Sequence, residues 1–290
     1  MTSLLDETLA ADRPTELPLV VELLTVRFGG VHAVESVSLE VGAGETVGLI
    51  GSNGAGKTTL MDCVSGYVRP TSGTITLFGT DVTRLAPDLR PYVGLGRSFQ
   101  DARLYSGLTV LETLMVALER HAPTGLLAGL FGLAVPNERA KRHTADELVE
   151  LMGLQAFAEK RAGELSTGTR RIVDLACIVA QQPKLLLLDE PTAGIAQRET
   201  EAFGPMLQRL KEMLGFAVLL IEHDVPLVTS LADRLYAMES GRVIAEGRPG
   251  DVIKDPRVVA SYLGTTDAAI QRSDHATAPP KRRAPRKKSA

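Results

Sequence analysis

The chain has 290 residues, 44% of them hydrophobic, enough for one large domain or two small ones around a sizeable core. Its formal charge of −3 hides an asymmetry: Lys281, Arg282, Arg283, Arg286, Lys287 and Lys288 sit in a tail without acids, and removing those six cations leaves −9 on residues 1–280. An acidic body argues against a general nucleic-acid binder and leaves the tail as the one candidate polyanion contact, with a solvated, disordered tail the plainer reading.

Residues 1–17 carry early acids and lack a basic start with an apolar core, so they read as an N-terminal tail and not as a signal peptide. Leu19 to Phe28, Ser36 to Val41 and Thr46 to Ile50 then form short β-rich runs broken at Gly29-Gly30 and Gly42-Ala43-Gly44. The last run opens onto Gly51-Ser52-Asn53-Gly54-Ala55-Gly56-Lys57-Thr58, a G-x-x-x-x-G-K-[ST] loop, with a helix predicted from about Thr58 to Ser65.

That loop points to a nucleoside triphosphate. Glycines let backbone N–H groups converge on phosphate oxygens, and the helix N-terminus adds partial positive charge. Lys57 reaches the β- and γ-phosphates, and the Thr58 hydroxyl can ligate Mg²⁺.

Gly73 to Leu77 reads as another strand, and Gly94 to Gln100 leads out of the core. Apolar spacing at Val110, Leu111, Leu114, Met115 and Leu118, and again at Leu148, Leu151, Met152 and Leu154, predicts an inserted helical subdomain. Between the two lies Gly125 to Val135, an apolar stretch about half as long as a bilayer needs. It fits either an exposed apolar lip or ordinary interhelical packing.

A helix is predicted from about Gly168 to Ala180, a strand over Lys184 to Leu188 and another over Ala217 to Ile221. Continuous apolar strands alternating with helices imply a parallel sheet covered on both faces. Cys63 and Cys177 fall in helical patterns without C-x-x-C or His partners, and read as buried thiols with no metal site.

Leu185 to Leu188 ends in Asp189-Glu190. At such a strand end Asp189 can hold Mg²⁺, directly or through water, while Glu190 orients and polarises an attacking water.

With these motifs in order, residues 18 to 264 resemble the ATP-binding cassette (ABC) family. The resemblance rests on Arg97-Ser98-Phe99-Gln100 (Q-loop), Leu165-Ser166-Thr167-Gly168-Thr169 (signature), Leu185 to Pro191 (Walker B), Ala193-Gly194-Ile195-Ala196 (D-loop) and Ile221-Glu222-His223-Asp224 (switch histidine). It implies an α/β fold: a P-loop NTPase of the ABC ATPase kind, with a RecA-like parallel-sheet core, an antiparallel β subdomain and an inserted α-helical subdomain.

The implied organisation is an ABC ATPase domain over 18–265, its helical subdomain at about 101–165, followed by a basic tail at 266–290.

The resemblance also assigns roles. ATP and Mg²⁺ are the implied cofactors, with Ser52, Asn53, Gly54, Ala55, Gly56, Lys57, Thr58 and Thr59 on the phosphates. Phe28 stacks on adenine, although a strand aromatic of this kind also fits the core. Gln100, Asp189 and Thr58 belong to the metal, and Glu190, His223 and Gln100 to hydrolysis. Ser166 and Gly168 cap the γ-phosphate held by a partner subunit.

Two departures stand out: Thr167 and Thr169 replace the family's Gly and Gln, and Ala196 replaces its Asp or Asn. Both would face the partner's nucleotide, so one composite site of a heterodimer is expected to be slow.

Arg27-Phe28-Gly29-Gly30-Val31, the apolar insertion with Asn137-Glu138-Arg139, and Ser261-Tyr262-Leu263-Gly264 look most like branched-chain amino acid importers. The implied partners are integral membrane permease subunits, a second ABC ATPase subunit and, indirectly, a substrate-binding protein. The implied location is the cytoplasmic face of the cell membrane. A weakly hydrolysing regulatory cassette and a soluble, non-transport ABC ATPase are the competing readings, the latter disfavoured by the lack of long heptad insertions.

Overall fold

The computed structural model describes residues 17–99, 104–120, 135–195 and 197–261. Among these, ten strands form two sheets. The first is a four-stranded antiparallel sheet in the order β2-β1-β4-β5, built from β1 (Leu19–Phe28), β2 (Val31–Val41), β4 (Ser72–Leu77) and β5 (Thr80–Asp81). The second is six-stranded, in the order β10-β9-β3-β8-β7-β6, from β3 (Thr46–Gly51), β6 (Leu95–Arg97), β7 (Leu185–Asp189), β8 (Ala217–Ile221), β9 (Arg234–Glu239) and β10 (Arg242–Gly247). Its strands run parallel except β10, which pairs antiparallel with β9.

Every residue of β3, β7 and β8 is buried, as parallel strands covered on both faces require. Alternation of side chains sends Leu186, Leu188, Val218 and Leu220 to one face and Leu185, Leu187, Leu219 and Ile221 to the other.

The second face packs on α1 (Lys57–Ser65) and the antiparallel sheet. The first carries α4 (Thr167–Ala180), α5 (Gln197–Leu214) and α6 (Val225–Leu231). It also receives α2 (Val110–Leu118) and α3 (Val135–Leu151) of the helical region. A short α7 (Pro249–Val252) follows β10.

Local chemistry sets several boundaries. Helix α2 opens with a capping box: the Thr109 hydroxyl accepts from Glu112 N–H, and the Glu112 carboxylate accepts from Thr109 N–H. Helix α1 ends on Gly66 at φ 86°, in the left-handed region.

The carbonyls at the end of α1 also meet Arg90, which is 1% exposed and donates to the Cys63 (2.7 Å), Val64 (2.5 Å) and Val82 (2.7 Å) oxygens. A cation there satisfies orphan carbonyls and complements the helix dipole.

The predicted strands hold, with β2 beginning at Val31, five residues before the predicted Ser36. Of the two cysteines, Cys63 is buried as expected, whereas Cys177 is half-buried. Burial pushes both thiols up to about 12, so neither is a nucleophile near neutral pH. Of the apolar stretch Gly125 to Val135, all but the last residue lies outside the described residues.

Candidate active site

Register brings the sequence motifs to one edge. In the ladder Leu49 faces Ile221 and Asp189 faces Ile221, so the carboxyl ends of β3, β7 and β8 finish side by side. Ligands of open parallel sheets bind outside that edge.

From β3 the chain enters the phosphate loop. Gly51, Gly54 and Gly56 have φ of 152°, 83° and 99°, which an L side chain rarely adopts. A Cβ on Gly56 would also collide with the Ala33 carbonyl oxygen of β2. The loop is propped from behind: Gly241 N–H donates to the Ala55 oxygen at 3.0 Å, and Glu35 N–H to the Gly241 oxygen at 2.8 Å. Gly56 caps α1, whose first turn holds Lys57, Thr58 and Thr59. Ser52 and Thr59 are half-buried, and Asn53, Gly54 and Thr58 are exposed.

Lys57 is 6% exposed, and its ammonium donates to the Gly51 (2.8 Å) and Ser52 (3.1 Å) carbonyls. Burial pulls it below the ordinary lysine range, while Glu190 and Asp189 pull it back up. Its charge is thus held among phosphate-loop carbonyls and two acids, where an incoming polyphosphate would strengthen it.

Asp189 ends β7 at 2% exposure. Its Oδ2 lies 3.7 Å from Arg97, and its Oδ1 accepts no hydrogen bond among the described residues. Burial raises its carboxyl above the usual range, against the lowering effect of Arg97. Arg97 itself is anchored on α1, 2.7 Å from Asp62 and 2.8 Å from the Ser65 hydroxyl.

Next in the chain, Glu190 has φ 48°, uncommon for a residue with a side chain. Four bonds fix that turn. Glu190 N–H donates to the Ile221 oxygen at 2.9 Å, and its carbonyl accepts from Ala193 N–H at 3.1 Å. Arg171 on α4 donates to the same carbonyl at 3.0 Å, and Glu190 Oε1 pairs with His223 Nε2 at 2.8 Å.

The structure therefore brings Lys57, Asp189, Glu190 and His223 together at this edge. Gln100 and Ala196 lie outside the described residues. Phe28 is 54% exposed at the end of β1, which removes its core alternative.

Ser166 and Gly168 stand on another element, the start of α4. There the Ser166 hydroxyl caps the helix, accepting from Thr169 N–H at 3.1 Å and pairing with the Thr169 hydroxyl at 2.8 Å. The motif reading gave no role to Arg171 or Glu222, whose bonds to the Glu190 carbonyl and to Thr192 span 19 and 30 residues. No local pattern signals them.

Phosphate-loop and carboxylate chemistry gathered at the open edge of a parallel sheet defines a P-loop nucleotide hydrolase. Comparison with known proteins takes the class further. Residues 34–193 match the ABC transporter family model, and residues 242–268 match that of the branched-chain amino acid ATP-binding cassette transporter.

The high-affinity branched-chain amino acid transport ATP-binding protein BraF of Pseudomonas aeruginosa is 38% identical over 248 residues, 85% of this chain and 97% of the relative. LivG of Escherichia coli, of the same description, is 38% identical over 250 residues with the same coverage. Among solved structures, the ADP conformation of the cassette MJ1267 superposes with a TM-score of 0.73 at 30% identity, over 86% of this chain and 99% of that one.

The chain belongs to the ATP-binding proteins of ABC transporters, of the branched-chain amino acid transporter type. It is an ATP-binding cassette and a transport ATPase.

Proposed function

We propose that this subunit energises import of branched-chain amino acids or related small polar solutes from the cytoplasmic face of the membrane, as a peripheral partner of permease subunits. A second cassette would complete the nucleotide sandwich, and a substrate-binding protein would deliver the solute. Among the described residues no helix is long and apolar enough to cross a membrane; in this reading the permease subunits supply the translocation path. The observation that carries the reading is the Glu190–His223 pair beside Lys57 and Asp189, in a chain that matches branched-chain relatives over nearly their whole length.

In this reading Ser52 to Thr59 cradle the phosphates, with Lys57 turning from the Gly51 and Ser52 carbonyls to the β/γ-phosphates. Phe28 offers an exposed ring to adenine. Glu190 takes the proton of the attacking water, and His223 orients the Glu190 carboxylate through its Nε2–H.

The donor set suits Mg²⁺: a buried Asp189 carboxylate oxygen that accepts no hydrogen bond among the described residues, the exposed Thr58 hydroxyl, and Gln100 by motif. When bound, the ion would neutralise charge on the β- and γ-phosphates. Residues 18–265 would make up the cassette, with about 101–165 as its helical subdomain and 266–290 as a tail. Ser166 and Gly168 would serve the partner's nucleotide.

The test is reconstitution with the permease subunits in vesicles, following ATP-dependent uptake of labelled leucine, isoleucine and valine against other small polar solutes. Uptake of a branched-chain amino acid that stops without ATP is the expected result. ATP hydrolysis stimulated only by an unrelated solute would overturn the substrate assignment.

A second reading, a weakly hydrolysing regulatory cassette, draws support from the Ser166 hydroxyl being engaged by Thr169.

A further inference from the structure

Glu222 follows the buried strand β8 and is itself 3% exposed. Its Oε1 accepts from both Thr192 N–H (3.0 Å) and the Thr192 hydroxyl (2.6 Å), and its Oε2 accepts from His223 N–H (3.1 Å). The ion pairs of the described residues do not include it. A carboxylate taken out of water without a cation is costly unless several donors meet it. Here every donor comes from one of two short segments: the turn after β7, two residues past Glu190, and the backbone of His223.

Those segments carry the two groups of the hydrolytic pair. Glu190 sits at φ 48°, a conformation that persists only where the surroundings over-determine it. The Ile221 carbonyl and Arg171 hold its backbone, but neither links the Pro191–Thr192 turn to His223. Among the described residues, Glu222 ties that turn to the backbone of His223, behind the Glu190–His223 pair itself.

We propose that Glu222 is a positioning residue for ATP hydrolysis: its buried carboxylate locks the turn after β7 to the end of β8 and thereby keeps Glu190 and His223 within hydrogen-bond reach. This rests on the roles given above to Glu190 and His223. Nucleotide binding depends on the phosphate loop instead, so loss of the lock lowers turnover and leaves affinity alone.

Glu222→Gln separates the two arms. The amide oxygen still accepts from Thr192, but the NH₂ group faces His223 N–H, donor against donor. The expected result is a fall in kcat of about tenfold or more, as for a slight misplacement of reacting groups, with ATP affinity within about twofold of wild type. Thr192→Val, which keeps the backbone bond, lowers kcat by about threefold.

A role confined to stability would lower Tm without this split, and it would cost the same in any background. The decisive measurement is therefore a double-mutant cycle, with single turnovers of bound ATP followed over hours in the full chain within its transporter complex. In a His223→Ala background, Glu222→Gln should cost less than about twofold further.

An equal loss in both backgrounds, a loss of affinity alone, or wild-type turnover in Glu222→Gln overturns the proposal. Glu190→Gln serves as the control. If it turns over normally, the role given to Glu190, on which the proposal rests, fails. If it is inactive while Glu222→Gln is normal, only the positioning role fails.

Discussion

The carboxyl edge of the parallel sheet and the signature end of α4, the two regions proposed to meet ATP, are constructed differently. At the sheet edge, charged groups from α1 and from the ends of β7 and β8 are buried, each held by other elements or by loop backbone: Lys57 at 6% exposure on the Gly51 and Ser52 carbonyls, Asp189 at 2% beside Arg97, and Glu222 at 3% on Thr192 and His223. At the signature end a single helix cap does the work, and its hydroxyl is engaged by its own neighbour, Thr169. Buried charges tolerate little change, because loss of one leaves its partners unsatisfied away from water. A helix cap can drift in sequence, since Ser166 continues to cap α4 whatever stands at 167 and 169.

That contrast predicts where damage is greatest. Glu190→Gln, at the sheet edge, should lower ATP turnover by about 10²–10⁴-fold while ATP stays bound, because the amide keeps the shape and loses the basicity. The measurement is steady-state phosphate release alongside a binding titration. Wild-type turnover would move the catalytic role away from Glu190, with His223 the next candidate.

Lys57→Ala should weaken ATP binding by about 10–100-fold, the worth of one charge-assisted hydrogen bond. Calorimetric titration reads this directly. Unchanged affinity would mean that the Lys57 ammonium stays on the Gly51 and Ser52 carbonyls when nucleotide binds, and the phosphate-loop assignment would fall.

Legibility in the sequence follows the same division. Lys57, Asp189, Glu190 and His223 could be read because each lies in a local string whose spacing fixes its position relative to a strand end. Arg171, Arg97, Arg90 and Glu222 could not, because they act on carbonyls and side chains supplied by other elements. Arg90, for instance, reaches the end of α1 from 26 residues away, and nothing around it in the chain marks its acceptors.

Helix α5 is hidden for a local reason: Phe203, Leu207 and Leu210 keep helical spacing and are buried in the core, but Gly204-Pro205 places two helix-breaking residues inside it. Tertiary burial overrides the propensity penalty there. Strands β9 and β10 also went unread; charged ends such as Arg234, Glu239 and Arg242 hide their short buried centres.

The signature end should respond more mildly. If the working unit is a heterodimer, restoring Gly at 167 and Gln at 169 should raise turnover of the complex by a few-fold, since it releases the Ser166 hydroxyl from Thr169 for a γ-phosphate on the partner. The check is the ATPase rate of the reconstituted transporter with each subunit's catalytic glutamate replaced in turn. Equal losses from the two replacements, with no gain from the restored signature, would show that the two sites are equivalent and the threonines neutral.

The smallest expected effect lies further along the same helix. Asp174 of α4 lines a small cavity with Ser98, Phe99, Leu188, Pro191 and Phe203. Burial pushes its carboxyl up to about 6, against the opposing pull of Arg171. A raised carboxyl means that the folded state binds this proton more tightly than the unfolded chain does. Stability therefore falls as pH rises from about 4 to about 6, and the full penalty applies above that window.

Asp174→Asn removes the ionisation and should gain about 1–2 kcal/mol at pH 8, or roughly 2–6 °C in Tm for a chain of this size. The gain should shrink through pH 6 and vanish near pH 4. Thermal melts of both proteins across that range would test it, and a gain independent of pH would mean that asparagine acts through packing. Because Arg171 also donates to the Glu190 carbonyl, the same variant asks whether the signature helix and the sheet edge are energetically separate. Turnover unchanged at pH 8 would keep them so, whereas a large loss would join Asp174 to the buried network.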